Sequence, residues 1–374
     1  MFDVLFSIAI SFAITFLAIP VIITVAERKK LFDIPDERKV HQSPIPSLGG
    51  LGIFAGFILA SLIALPFQVS SEFQYFFAAA FVIFFLGLKD DILVISPIKK
   101  FIGQVLAAFL IIYKGNIQIR SMHGFMGIHE LPEMFSLLLT YFTIIVIINS
   151  FNLIDGIDGL AGSLGLLGST IFGFYFLQVN MPAYAILAFS LAGSLAAFLI
   201  FNFQPAKVFM GDTGSLLIGL INAILVVKFI NVANSPEVPY PIVAAPAVGF
   251  AILVIPLMDT LRVFAIRIVH RRSPFSPDRN HVHHLLLDKG LSHRSITFLL
   301  VSINFLFIIA AYVSQPIGCT WVILSIVSLF FTGIGALYYT RPKAHLFVAK
   351  AAEPDLKTSK VVPLTKDTIL EHKN

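Results

Sequence analysis

The chain has one cysteine, one tryptophan and little charge: Lys, Arg, Asp and Glu make up only 13% of its 374 residues. A single thiol, Cys319, excludes an internal disulfide and any cysteine-rich metal site. The shortage of charge excludes an ordinary soluble surface, since globular domains carry roughly 25% charged residues. There is no repeat of fixed period, which argues against a solenoid or array. The first apolar run lacks a basic leader and is too long for the apolar part of a cleavable signal, so it is expected to remain as a span.

What the chain has instead is hydrocarbon. Hydrophobic residues reach 57% and the mean hydropathy is +0.90. The expected fold class is all-α, a polytopic membrane protein. Eleven apolar runs have roughly the length of a span: 4–26, 48–67, 73–88, 98–113, 135–151, 159–177, 183–201, 213–230, 242–265, 296–314 and 318–339. Residues 1–340 therefore read as one membrane domain, and 341–374 as a charged, aperiodic and disordered tail.

The isoelectric point near 9.2 would suggest nucleic acid if the positions of the charges were ignored. Lys and Arg sort by loop instead. Arg28, Lys29, Lys30, Arg38 and Lys39 follow the first run, and Lys89, Lys99 and Lys100 the third. Lys207 follows the seventh, and a further group from Arg267 to Arg294 follows the ninth. The alternate loops hold only Lys114, Arg120 and Lys228. The positive-inside rule then places the N-terminus outside, the tail in the cytoplasm, and a membrane rather than a nucleic acid as the partner.

With that topology, every unusual loop falls on the cytoplasmic face: “DERKVHQSPIPSLGG”, “GLKDD”, “NSFNLIDGIDGLAG”, “FNFQPAKVFMGDTGS” and “RRSPFSPDRNHVHHLLLDKG”. The opposite loops are short except 114–134, whose alternation suggests a small hairpin. Polar motifs gathered on one face point to an active site at the membrane surface.

Asp90 and Asp91 are adjacent carboxylates at a helix end, where the dipole favours cations, so they need a metal, Lys89, Lys99 or Lys100 as compensation. Asn152, Asp155 and Asp158 would fan over one side of a helix, next to hydrocarbon that penalises charge. Capping would account for Asp158 before the sixth run, but not for two carboxylates and two asparagines together. Asp212 reads as the N-cap of the eighth run, a ready anion site where a carboxylate can also hold Mg²⁺. Phe209 could stack on a base or simply pack. Arg279, His281, His283 and His284 sit in a basic segment without cysteine, which favours phosphate over zinc. Asp259 and Arg262 read as a structural pair near a bend at Pro256, and Pro20 as a tolerated kink.

Carboxylates, Mg²⁺ and basic side chains are the parts of phosphoryl transfer, and oxygen-only ligands suit magnesium. A soluble phosphorylated donor would come from the cytosol and a lipid acceptor sideways between helices.

The set “GLKDD”, “NSFNLIDGIDGLAG”, “VFMGDTGSL” and “PDRNHVHH” resembles the polyprenyl-phosphate N-acetylhexosamine-1-phosphate transferase family, in order and over the chain to about residue 339. The “HVHH” form is similar to that of the GlcNAc-1-phosphate branch. The resemblance implies attack of polyprenyl (undecaprenyl) phosphate on the sugar-linked phosphorus of a UDP-N-acetylhexosamine, UDP-GlcNAc first among the donors, with UMP leaving. It implies Mg²⁺ as cofactor, with Mn²⁺ as the alternative, and a bacterial inner membrane as the location. A homodimer is compatible with it. It places Asp90 at the lipid phosphate, with Asp91 supporting it or the metal, and makes Asp212 the leading metal ligand. It lines the nucleotide and diphosphate site with Asn152, Asp155, Asp158 and Phe209. It gives Arg279, His281, His283 and His284 to phosphate or sugar, and Lys39 and His41 to the nucleotide end. Direct attack and a covalent phospho-Asp intermediate both remain open, with direct attack preferred because the acceptor is already largely ionised at neutral pH. The rivals are a phospho-MurNAc-pentapeptide transferase, a secondary transporter and an assembly scaffold.

Overall fold

Helix α1 (Phe2–Lys29) is built the opposite way from a helix in a soluble protein. Its buried stripe is Ser7, Ser11, Thr15 and Ile19, at i, i+4 spacing, while Phe12, Leu17, Val21 and Val25 are exposed. Hydrocarbon solvates leucine as well as protein does, so helices approach through small residues and polar contacts instead. Thr15 Oγ1 donates to Gly52 O at 3.0 Å in α2 (Gly49–Ala64). A Cβ on Gly56 of α2 would overlap the Thr15 hydroxyl, and a Cβ on Gly193 of a later helix would overlap Ser11 Oγ. α1 runs through Pro20 without a break, and Thr24 Oγ1 donates to Pro20 O at 2.9 Å.

The computed structural model describes residues 1–33, 45–66, 71–271 and 281–340, all within one compact unit, Met1–Arg341. The expected disordered tail lies outside the described residues. So do Lys39, His41 and Arg279.

The further helices are α3 (Glu72–Ile92), α4 (Pro97–Phe109, continued as a wider turn to Lys114), α5 (Glu133–Ile154), α6 (Leu160–Gln178), α7 (Pro182–Asn202) and α8 (Gly211–Ala233). They are followed by α9 (Ala245–Ile252), α10 (Val254–Val269), the short α11 (Val282–Leu287), α12 (His293–Ser314) and α13 (Cys319–Tyr339). Every expected apolar run is helical. Among the described residues seven helices are long and apolar enough to cross a membrane, or eight if one bent pair is counted as a single span. The protein is a multi-pass membrane protein. Three expected spans fall outside that set: α2 has only 16 residues, α3 carries Glu72, Lys89, Asp90 and Asp91, and α4 has 13 residues that include Lys99 and Lys100.

The ninth run is not one straight span. α9 and α10 meet at Leu253 with a bend of 81°. A break inside hydrocarbon frees backbone groups that must find partners. Asn304 of α12 supplies them: its Oδ1 accepts from Ile255 N at 3.1 Å and its Nδ2 donates to Ile252 O at 3.0 Å. Asn304 is fully buried.

α8 is the most buried of the spanning helices and the hub of the bundle, with α3, α5, α2 and α6 packed on it. The expected hairpin at 114–134 is present as β3 (Ser121–Phe125) paired antiparallel with β4 (Ile128–Glu130). A second short pair, β1 (Phe32–Asp33) and β2 (Ile45–Pro46), leads into α2.

Candidate active site

The first turn of α8 gathers the site. Gly211 lies at φ 69°, a left-handed conformation, and a Cβ there would sit 2.7 Å from the Asp91 carboxylate. Gly87 lets the last turns of α3 touch the same helix start: a Cβ on it would lie 2.6 Å from Thr213 N. The “SLGG” segment clasps the loop before α8 through its backbone, with Gly49 N donating to Phe209 O at 2.9 Å and Gly50 N to Met210 O at 2.8 Å. Phe209 is thereby fixed beside the helix start, half-buried.

Asp212 is the second residue of α8, not its N-cap. The cap comes from another helix. Asp91 Oδ1 accepts from Asp212 N at 2.7 Å, and Asp91 Oδ2 accepts from Thr213 N at 3.0 Å and Thr213 Oγ1 at 2.5 Å. A negative carboxylate against free helix N–H groups is a stable arrangement. Asp91, expected to support a metal, turns both oxygens toward α8 and orients Asp212.

One cation ties the carboxylates together. Lys100 Nζ of α4 lies 3.2 Å from Asp90 Oδ2 and 3.2 Å from Asn152 Oδ1, and it pairs with Asp212 Oδ2. Asn152 Nδ2 donates to Asp212 Oδ1 at 2.7 Å and to Ser215 Oγ at 3.0 Å. Asp90 also accepts from Ile95 N at 2.8 Å. Asp90, Asp91, Asn152 and Asp212 therefore converge, and the sequence's demand for a positive group beside “DD” is met by Lys100.

The helical fan over Asn152, Asp155 and Asp158 does not form, because α5 ends at Ile154 with Asp155 as its C-cap. Asp155 makes no hydrogen bond among the described residues. Burial, and then the negative charges of Asp212, Asp91 and Asp158, push its pKa up to about 8. Asp158 is not the cap of α6 either; that position is Gly159. Asp158 Oδ2 accepts from Ala206 N at 3.2 Å, and Oδ1 lies 3.3 Å from His293 Nδ1. Asn149 is not in the cluster: it makes a reciprocal amide pair with Gln104, at 2.8 and 3.3 Å, and locks α4 to α5.

The histidines approach from α11. His283 is buried against Gly156, where a Cβ would overlap its Nε2. Its Nδ1 is buried without a hydrogen-bond partner among the described residues. Burial first, and then the neighbouring His284, hold its pKa down to about 3, so the ring is neutral. The His281 and His283 rings are near-parallel with centroids 5.5 Å apart, and His283 and His284 are 4.4 Å apart.

Sequence reasoning saw Asp259 only as the partner of Arg262. That pair is present, Arg262 Nη2 to Asp259 Oδ1 at 3.0 Å. The same carboxylate also accepts from Val282 N at 2.9 Å and contacts His281 Nδ1 at 2.8 Å. It holds the start of α11, and no local signal links residues so far apart in the chain. His293 and Thr213 were missed for the same reason.

The donor set fits a hard cation. It is oxygen-rich, it already draws an ammonium into its centre, and Asp155 is left partnerless among like charges. Among the described residues no three His, Cys, Asp or Glu side chains stand in a ready-made ligand cluster.

Comparison with known proteins yields one family. The family model described as glycosyl transferase family 4 matches residues 73–230. The chain is similar to the probable undecaprenyl-phosphate N-acetylglucosaminyl 1-phosphate transferase of Bacillus subtilis, 31% identical over 86% of this chain and 88% of that one. It is similar to the decaprenyl-phosphate N-acetylglucosaminephosphotransferase of Mycobacterium leprae, 34% identical over 77% of each. It is also similar to the undecaprenyl-phosphate alpha-N-acetylglucosaminyl 1-phosphate transferase of Haemophilus influenzae, 35% identical over 79% of this chain and 82% of that one.

Proposed function

The chain belongs to glycosyl transferase family 4, and from that premise we propose that it moves N-acetylglucosamine 1-phosphate from UDP-GlcNAc to a polyprenyl phosphate and releases UMP. The observation that carries the reading is the convergence of Asp90, Asp212 and Asn152 on Lys100 at the first turn of α8. The site faces the cytoplasm of a bacterial inner membrane, with the N-terminus outside and the helical runs as eleven spans. The charge asymmetry of the loops supports that orientation.

In this reading an oxygen of the lipid phosphate attacks the sugar-linked phosphorus of the donor. The bond from that phosphorus to the bridging oxygen breaks, and UMP leaves with the oxygen. The acceptor needs no strong base, since a phosphate monoester with a second pKa of about 6 is mostly dianionic at neutral pH. Asp90 holds Lys100, and Lys100 presents positive charge to the acceptor and the transferred phosphoryl group. Asp91 fixes Asp212, and Asn152 orients its carboxylate. The neutral His283 donates toward phosphate oxygens. Asp158 ties the floor of the site to α12. Phe209 offers a ring face to the uracil. Magnesium held by Asp212 and Asp155 would neutralise charge on the donor diphosphate.

The test is single-turnover UMP release from radiolabelled UDP-GlcNAc by purified protein with polyprenyl phosphate and Mg²⁺, with and without EDTA. A labelled lipid product that vanishes with EDTA is expected. Turnover only with another UDP-sugar changes the donor and keeps the class. Folded protein inert toward every UDP-sugar would sink the transferase reading.

A further inference from the structure

The end of the helix bundle remote from the carboxylate cluster holds a second polar concavity, of about 660 Å³. It lies between the β3–β4 hairpin with its preceding strand-like segment and the last turns of α8. Sequence leaves this side poor in cations, with Lys114, Arg120 and Lys228 in its loops and helix ends. Two of these three, Arg120 and Lys228, come from segments far apart in the chain and line the same cavity. His123 and His129 line it as well, against one acid, Glu130.

The walls are built rather than draped. Ile119 N donates to Thr140 Oγ1 at 2.9 Å, and Asn231 Nδ2 of α8 donates to Gln118 O at 2.8 Å. The hairpin tip is pinned by Met126 N to Thr320 Oγ1 at 2.7 Å. Asn234 and His123 contact each other at 3.0 Å. Asn116 and His123 both take left-handed backbone conformations, at φ 52° and 47°, which cost non-glycine residues energy and need surrounding structure to hold them. The cations are pre-set too. Asn116 Oδ1 accepts from Arg120 Nη2 at 2.8 Å. Lys228 Nζ lies 4.6 Å from the centroid of the Tyr184 ring and 3.9 Å from Glu72 Oε1, which accepts from Tyr184 OH at 2.7 Å. Glu72 stands behind Lys228, and Arg120 and Lys228 outnumber Glu130 on the lining itself.

We propose that this cavity binds a phosphate-bearing anion, with the Arg120 fork and the Lys228 ammonium on the phosphate. A guanidinium matches phosphate oxygens in pairs, and an ammonium adds a point charge from the opposite wall. The volume exceeds what bare phosphate needs and falls within the range of small-molecule sites. Asn231, Asn234 and Glu130 provide acceptors for hydroxyl groups next to the phosphate. The same chemistry occurs in a soluble phosphate ester and in the headgroup of an anionic phospholipid such as phosphatidylglycerol. The site is independent of the reading given to the carboxylate cluster.

The test uses full-length, delipidated protein in detergent. Glycerol phosphate and short-chain phosphatidylglycerol are titrated separately, with phosphatidylcholine as control. Hydrogen–deuterium exchange is followed over 116–131 and over 149–162. Protection confined to 116–131 is expected, with an apparent Kd at least tenfold weaker in Arg120→Gln and in Lys228→Gln, and unchanged UMP release. Tighter binding of the phospholipid assigns the lipid source, and tighter binding of glycerol phosphate the soluble one. Should Lys228→Gln misfold because Tyr184 and Glu72 lose their partner, the exposed Arg120→Gln and the charge-reversing Arg120→Glu still decide. No protection of 116–131 by either probe, or equal affinity in wild type and folded Arg120 variants, overturns the proposal.

Discussion

Replacing Asp259 by Asn tests how the histidine segment is held. Asp259 is 1% exposed, and its two oxygens serve different partners: Oδ1 accepts from Arg262 and Val282 N, and Oδ2 faces His281 Nδ1. An amide can keep an acceptor on only one side. With its oxygen toward Arg262 and Val282, its NH₂ faces His281 and forces the other tautomer. With the reverse orientation, two donors face an NH₂ group. Either way the buried guanidinium of Arg262 meets a neutral group, a change that costs about 3–5 kcal/mol when a buried pair is broken. Displacement of α11 by an ångström would cost roughly 10²-fold in turnover. The assay pairs chemical denaturation in detergent with single-turnover UMP release. Asp259→Asn should lose both stability and activity. The double variant Asp259→Asn/Arg262→Met should regain part of the stability and none of the activity, because one amide oxygen still cannot serve both His281 and Val282 N. A stable, fully active Asp259→Asn protein, or a double variant with restored turnover, would refute the reasoning.

Three other outcomes are expected. Asn304→Leu removes the acceptor for Ile255 N and the donor for Ile252 O at the helix break, so denaturation should show a loss of about 3 kcal/mol, from two buried groups left without partners at about 1–3 each; an unchanged midpoint would contradict the stapling role. His283 titrates near 3 in the fold against 6.5 in the unfolded chain, so its contribution to stability is complete above pH 6.5 and declines as pH falls toward 3, by up to about 1.4 kcal/mol per pH unit; His283→Gln should show a shallower fall between pH 6 and 4.5, and an identical slope would contradict a buried neutral ring. Lys100→Met leaves Asp90 and Asp212 facing each other without their shared cation, and turnover should fall about 10²–10³-fold; activity within threefold of wild type would remove Lys100 from the site.

The sequence made the membrane class and the helical runs legible because hydrocarbon tolerates so few residue types. Every apolar run became a helix, and the 114–134 hairpin followed its alternation. The helix ends were less legible. A cap read from local spacing assigned Asp212 to its own helix, whereas the cap is Asp91, from another helix packed on α8 through Gly87. The i, i+3, i+6 fan assumed that α5 continued past Ile154, but Gly156 and the approach of His283 end it. The pairing of Asp259 with Arg262 was visible at three residues' separation. Its grip on His281 and Val282 was not, nor was the staple from Asn304 to the break at Leu253, because neither leaves a periodic trace. The need for a cation beside Asp90 and Asp91 was visible from charge alone, and Lys100 was among the residues named for it.

The most direct test of the central claim is single-turnover formation of the lipid-linked product by Asp212→Asn and Asp155→Asn proteins, beside wild type, at saturating Mg²⁺ and with folding verified by their unfolding midpoints. Product from wild type and a loss of at least about 10³-fold in both folded variants is the predicted result, since each would lose charge stabilisation at the transferring phosphoryl group. A folded Asp212→Asn protein that forms product within threefold of the wild-type rate would contradict the assignment of the site to the first turn of α8.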